Sequence, residues 1–140
     1  MPAVIRLVEQ CPDVRFVLNH LGKPDVAGKQ LQPWQDNISK LATFPNVWCK
    51  LSRLIREDRP VWSSEDLKPY IFHAIEEFSY DRVMFGSDWP VVNLAASYAH
   101  WTHILYDLLI HHDASPEELE KIFHSNARRC YEMQTEVVEI

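Results

Sequence analysis

One stretch decides the fold of this chain: Arg82–Pro90, which reads RVMFGSDWP. Its apolar part, Val83–Phe85, is continuous, as is typical of a strand buried on both faces in a parallel sheet. Gly86 relaxes the backbone where the strand ends, and Pro90 prevents a direct continuation into a helix. Asp88 therefore follows the carboxyl end of a strand, where α/β folds place catalytic groups. The structural alternative is that Asp88 caps a turn or a helix.

Two more predicted strands, Arg15–Asn19 and Val47–Leu51, precede this one at the spacing of βα units. Between and after the strands, apolar residues recur at the spacing of amphipathic helices. This alternation predicts an α/β fold with a parallel sheet. The residues that mark the helices are Val4, Leu7, Val8 and Cys11 after Pro2; Trp34, Ile38 and Leu41 near Pro33; Leu67, Ile71, Ala74 and Phe78 after Ser63 or Ser64; Tyr98, Trp101, Leu105, Leu108 and Leu109; and Leu119, Ile122 and Phe123 after Ser115-Pro116.

Composition and charge limit the function classes. The 140 residues are 46% hydrophobic and 24% charged, which is typical of one globular domain or a piece of one. The net charge is −6 and no basic stripe is present, so nucleic acid and membranes are not expected partners. No apolar run approaches the roughly 20 residues of a membrane span. Cys11, Cys49 and Cys130 lie far apart, which predicts free thiols in a reducing, cytoplasmic compartment.

Polar side chains follow all three predicted strands. Because neighbouring parallel strands lie about 5 Å apart, we expect these strand ends to converge on one site. A histidine and a carboxylate placed together suit hydrolysis, since the carboxylate takes a proton from water while the imidazole holds a metal or polarises a carbonyl. The residues concerned are Asn19, His20 and Lys23 after the first strand, Lys50 and Ser52 at the second, and Ser87, Asp88 and Trp89 after the third.

Each of these residues also has a structural explanation. His20 is typical of a hydrogen-bonded turn residue, and Ser52 of a turn cap. Lys50 alternates with apolar neighbours, so its stem could cover the helix layer with its amine in solvent, and Trp89 could fill the core. Of the other histidines, His100 and His103 lie at i, i+3 on a helix and His111-His112 lie at a helix end, where a positive group is favoured, and we expect no metal site there. Three scattered glycines make no phosphate loop, which disfavours nucleotide binding.

Three motifs resemble the amidohydrolase-related (amidohydrolase 2) family, and its sugar lactonase branch in particular. They are VLNHLGKP at Val17–Pro24, NVWCKLS at Asn46–Ser52 and FGSDWP at Phe85–Pro90. Asn126-Ala127-Arg128 with Tyr131 is similar to the closing helix of that family. The resemblance extends over essentially the whole chain. It implies a (β/α)8 barrel (TIM barrel) of the metal-dependent hydrolase type that opens lactones at its carboxyl-end face.

The resemblance also implies roles for five residues. Asp88 matches the aspartate that activates water after the last strand. His20 matches the active-site histidine after the sixth strand, which in some members contacts a divalent metal such as zinc. Asp88 is a second possible metal ligand, and Lys23, Lys50 and Trp89 would line the substrate pocket.

The chain departs from the family pattern at two positions. Asn19 stands where an aspartate is usual, which removes a charge beside His20 and could weaken its orientation or basicity. Arg53 stands where a glycine is usual, and could alter substrate choice or face solvent. Both positions adjoin the predicted site, and Arg53 also begins a long polar loop, Arg53 to Val61.

A full barrel needs about 250 residues, and no His-x-His pair of the kind found after the first strand of the family occurs here. We therefore expect residues 1–140 to be a partial barrel domain, about three βα units from the helix before strand six through the C-terminal helices. Unpaired sheet edges would favour self-association. The predicted function is the opening of a sugar lactone or related cyclic ester, with the isolated chain inactive. The alternatives are a truncated, non-catalytic binding or interaction module and a small doubly wound binding domain.

Overall fold

A computed structural model describes residues 1–55 and 63–133 of the chain. Three strands form one parallel sheet in the order β1-β2-β3, with Leu18 opposite Cys49 and Leu51 opposite Phe85. The predicted α/β class and the parallel sheet are therefore confirmed. Part of the loop predicted from Arg53 to Val61 lies outside the described residues. The strands are β1 (Phe16–Leu18), β2 (Val47–Leu51) and β3 (Val83–Phe85).

Six helices are described, and the serine caps predicted for two of them are present. The Ser63 N–H and hydroxyl both donate to the Asp66 carboxylate, so Ser63 rather than Ser64 is the N-cap of the third helix. Ser115 and Glu118 form a capping box at the fifth. A π-helical turn, Lys121–Ser125, joins the last two helices. The helices are α1 (Pro2–Gln10), α2 (Trp34–Ala42), α3 (Ser64–Phe78), α4 (Tyr98–Ile110), α5 (Pro116–Glu120) and α6 (Asn126–Tyr131).

The sheet is buried on both faces. Val47, Cys49 and Leu51 of β2 belong to the main core, which also holds the apolar faces of α2, α3 and α4. Trp48 belongs to a second cluster on the opposite face, where Cys130 of α6 packs. Because side chains alternate along a strand, Lys50 shares the α6 face with Trp48. Lys50 therefore points away from α2, α3 and α4 and lies on the face that α6 covers.

The opening helix is confirmed, but its buried face is smaller than predicted. Only Val8 of α1 is buried, whereas Val4 and Leu7 are 39% and 50% exposed. The described residues that pack on α1 come mainly from α2, so one side of the helix is left open. None of the described helices has the length and apolar character needed to cross a bilayer.

Two buried side chains fix the strand that carries Asp88. The Asn126 amide donates to the carbonyls of Tyr80 and Val83, which ties α6 to the start of β3. The Trp101 indole of α4 donates to the Gly86 carbonyl at 2.9 Å, just beyond the end of β3. Asn126 and Trp101 are almost fully buried, so the backbone is held by a hydrogen bond at each end of β3.

Candidate functional site

The three strands bring His20, Arg53 and Asp88 to the same end of the sheet. Each residue has a left-handed backbone, with φ of 56°, 53° and 56° respectively. That conformation is strained for a residue with a side chain, and such strain is concentrated at functional sites in proteins. Left-handed φ also occurs at six other described non-glycine residues, so the contacts of these three side chains, and not the backbone alone, define the site.

His20 and Asp88 lie against each other, as the convergence of the strand ends predicts. His20 Nε2 is 3.7 Å from Asp88 Oδ1, and the two side chains are only 17% and 13% exposed. The second oxygen, Oδ2, accepts a hydrogen bond from Arg53 Nη1 at 3.2 Å. The partners of the Asp88 carboxylate are thus side chains of the other two strand ends, and not a helix N-terminus.

The hydrogen bonds of His20 define its tautomer. Asn19 Nδ2 lies 2.9 Å from Nε2, and Ser52 Oγ lies 2.7 Å from Nδ1. Because an amide nitrogen only donates, Nε2 accepts and Nδ1 carries the proton that is donated to Ser52. Asn19 therefore holds the ring in place, and Ser52, which is fully buried, orients it and does not cap a turn.

The surroundings favour the neutral imidazole. The pKa of His20 is lowered from its usual 6.5, first because the ring is partly buried. The Asp88 carboxylate opposes this shift, whereas the charges of Arg53, Lys50 and Lys23 add to it. At neutral pH the ring is uncharged, with a lone pair on Nε2.

We therefore predict that the His20 ring, followed by NMR through its C2 proton, titrates below pH 6.5 in the folded chain. Since the folded pKa is below the unfolded value, His20 contributes stability above pH 6.5. That contribution is lost as the pH falls from 6.5 to the folded pKa. A His20 titration midpoint at or above 6.5 would contradict the prediction.

A pocket of about 500 Å³ opens at the strand ends, and we call it the strand-end pocket. Lys50 forms part of its wall, with Nζ 5.5 Å from the centre of the Tyr131 ring. Gly86 makes room for that side chain, because a Cβ there would lie only 2.7 Å from Lys50 Cδ. The described lining residues are Asn19, His20, Lys50, Ser52, Met84, Phe85, Gly86, Ser87, Asp88, Tyr98, Ala127 and Tyr131.

Two predicted substrate-binding residues lie outside this lining. Lys23 is exposed, and its effect on the site is electrostatic, because its charge lowers the pKa of His20. Trp89 is 66% exposed, so the suggestion that it fills the core is wrong. Sequence reasoning missed Tyr98, which lies at the start of α4, as a pocket residue. The one sequence feature that could have indicated Tyr98 is its position at the start of the helix that follows Asp88.

The described residues do not by themselves fit a divalent metal. They contain no cluster of three or more His, Cys, Asp or Glu side chains that could hold an ion. A catalytic zinc site uses three protein ligands, whereas the strand-end pocket offers His20 and Asp88. In addition, Nε2 of His20 accepts from Asn19, and Oδ2 of Asp88 accepts from Arg53.

Comparison with known proteins identifies the family. The amidohydrolase family model (Amidohydro_2) matches residues 1–133, which is nearly the whole chain. The chain belongs to the amidohydrolase 2 family. The resemblance inferred from the three motifs is thereby confirmed.

The similar proteins in this family include lactone hydrolases. An L-fucono-1,5-lactonase of Burkholderia ambifaria is 31% identical over 137 residues, which cover 94% of this chain and 46% of that protein. A 2-pyrone-4,6-dicarboxylate hydrolase of Comamonas testosteroni is 30% identical over 82% of this chain and 40% of its own length. A solved amidohydrolase of Burkholderia multivorans with bound zinc has a TM-score of 0.88 and 31% identity, over 95% of this chain and 49% of that one. The chain thus spans about half the length of these relatives.

Proposed function

We propose that this chain is the C-terminal part of a hydrolase barrel that opens a sugar lactone or a related cyclic ester. The observation that carries the proposal is the meeting of His20 and Asp88, 3.7 Å apart, in a pocket at the strand ends. Lactonases among the relatives supply the substrate class. The chain covers about half of each relative, which supports the view that a further part completes the barrel.

In the proposed reaction, Asp88 Oδ1 takes a proton from a water molecule as that water attacks the lactone carbonyl carbon. The ring C–O bond then breaks, and the proton passes to the leaving alkoxide, which gives the hydroxy acid. Arg53 holds the other carboxylate oxygen, so the oxygen nearer His20 is the one available to water.

His20 and Lys50 have separate parts in this proposal. Because Nε2 of His20 carries a lone pair, the ring is suited to accept a hydrogen bond and not to donate one to the carbonyl. Lys50 is the lining cation that can bind the carbonyl oxygen or a sugar hydroxyl. Lys23 and Trp89 are proposed to bind substrate at the pocket mouth. The divalent metal predicted for His20 and Asp88 would need further ligands from the part of the barrel outside this chain, so no step of the reaction is assigned to it.

Two further predictions accompany this proposal. The described part of the chain leaves β1 and β3 as edge strands, which supports inactivity and self-association of the isolated chain. Cys11, Cys49 and Cys130 are free thiols, which supports the cytoplasmic location.

A chimera tests the function. This chain would replace the matching part of the Burkholderia ambifaria L-fucono-1,5-lactonase, and hydrolysis of L-fuconolactone would be followed by acid release. We expect the chimera to turn the lactone over, because the site is then complete, and the 140-residue chain alone to show no appreciable activity. Turnover by the chain alone at ordinary enzyme rates, about 1–10³ s⁻¹, would contradict the half-barrel proposal. A chimera with native-like circular dichroism but no hydrolysis would contradict the lactonase proposal.

A further inference from the structure

Arg53 lies at the end of β2 with its guanidinium on the carboxylate proposed as the base. Nη1 is 3.2 Å from Asp88 Oδ2, and the Arg53 side chain is only 26% exposed. Its backbone φ of 53° is a conformation that glycine adopts readily and arginine does not. The strained backbone therefore brings a permanent cation to the one carboxylate among the described lining residues of the strand-end pocket.

The guanidinium and a metal ion would compete for the same place. A cation bound between Asp88 and His20 would lie close to the Arg53 charge, and like charges at that separation repel strongly in a partly buried site. Lys50 lines the same pocket and adds a second positive charge there. The amide of Asn19 also occupies the lone pair that His20 would offer to a metal.

We infer that Arg53 is the built-in counter-cation of Asp88 and takes the place that a divalent metal would occupy beside this carboxylate. A solved relative holds zinc, so this would be a point at which the present chain differs from that protein. The inference rests on the proposed function only in treating Asp88 as the base. Arg53 acts through Asp88 and is a positioning residue, so its role can be measured without turnover.

The test is Mn²⁺ binding to the lactonase chimera and its Arg53 variants, since the chimera contains the rest of the barrel and any ligands that it supplies, followed by paramagnetic broadening of the NMR signals of His20 and Asp88. Arg53→Gly removes the charge and suits the positive φ, whereas Arg53→Lys keeps the charge. Arg15→Gln is the matched control, because it removes an arginine that pairs with exposed Glu132 away from the site. We expect Arg53→Gly to bind Mn²⁺ at this site at least about tenfold more tightly than the wild type. Arg53→Lys and Arg15→Gln should bind as weakly as the wild type.

Equal Mn²⁺ affinity of the wild type and Arg53→Gly, whether tight or undetectable, would overturn the inference. Tight binding by Arg53→Lys would overturn it as well, because the charge would then have no role. The two proposals fail separately. An active chimera with equal Mn²⁺ affinities would leave the lactonase proposal standing without the Arg53 role. An inactive chimera in which Arg53→Gly binds Mn²⁺ more tightly, as expected, would contradict the lactonase proposal and leave the Arg53 role standing.

Discussion

Replacing Asp88 with asparagine is expected to lower kcat/KM of the lactonase chimera by about 10²–10⁴-fold. Asparagine has nearly the same shape and can still contact His20 and Arg53, but it cannot take a proton from water. The loss should lie mainly in kcat, because the carboxylate is proposed to act on the attacking water and not on the bound lactone. Steady-state hydrolysis of L-fuconolactone measures both parameters.

Asp113→Asn is the matched control for this change. Asp113 is exposed and also has a left-handed backbone, with φ of 58° against 56° for Asp88, so both substitutions make the same chemical change in the same conformation. The control should retain the activity of the unmodified chimera. A loss of less than tenfold in Asp88→Asn would show that another group is the base.

Trp101→Ala is expected to cost about 3–5 kcal/mol of the free energy of unfolding, the largest stability effect that we predict. Trp101 is 2% exposed, stacks near Phe85 and donates its indole N–H to the Gly86 carbonyl. It also lines a narrow crevice with Arg53 and Asp88, so its removal would weaken the packing beside both residues. Urea unfolding of the 140-residue chain, followed by circular dichroism, measures the loss.

Trp101→Phe separates packing from the hydrogen bond. Phenylalanine keeps most of the buried ring but leaves the Gly86 carbonyl without its donor, which should cost about 1–3 kcal/mol. If Trp101→Ala fails to fold, this milder variant still gives a measurable midpoint. A cost below about 1 kcal/mol for the alanine variant would contradict the role given to Trp101 in anchoring the end of β3.

The sequence predicted the strands and helices well because their signals are local. Val83–Phe85 and Val47–Leu51 are strands over the same residues in the structure, since short apolar runs bounded by turn residues define them. Ser115-Pro116 likewise begins a helix as predicted. The convergence of His20 and Asp88 followed from the parallel arrangement, which places all strand ends at one edge.

The direction of side chains beyond the strand ends could not be predicted. Trp89 follows Asp88 directly, yet it is exposed, and Arg53 reaches inward to Asp88. Both outcomes depend on loop backbone with positive φ, which a pattern of residue types does not encode. The exposure of Leu7 on α1 depends on which elements cover that helix, and helical periodicity gives no information about that.

His20 and Asp88, carried by different strand ends, share one pocket in the structure. This contact can be measured by repeating the NMR titration of His20 in Asp88→Asn. Because the Asp88 carboxylate raises the pKa of His20, its removal should lower that pKa further, whereas Asp113→Asn should leave it unchanged. An identical His20 titration in the wild type and Asp88→Asn would show that the two groups do not meet.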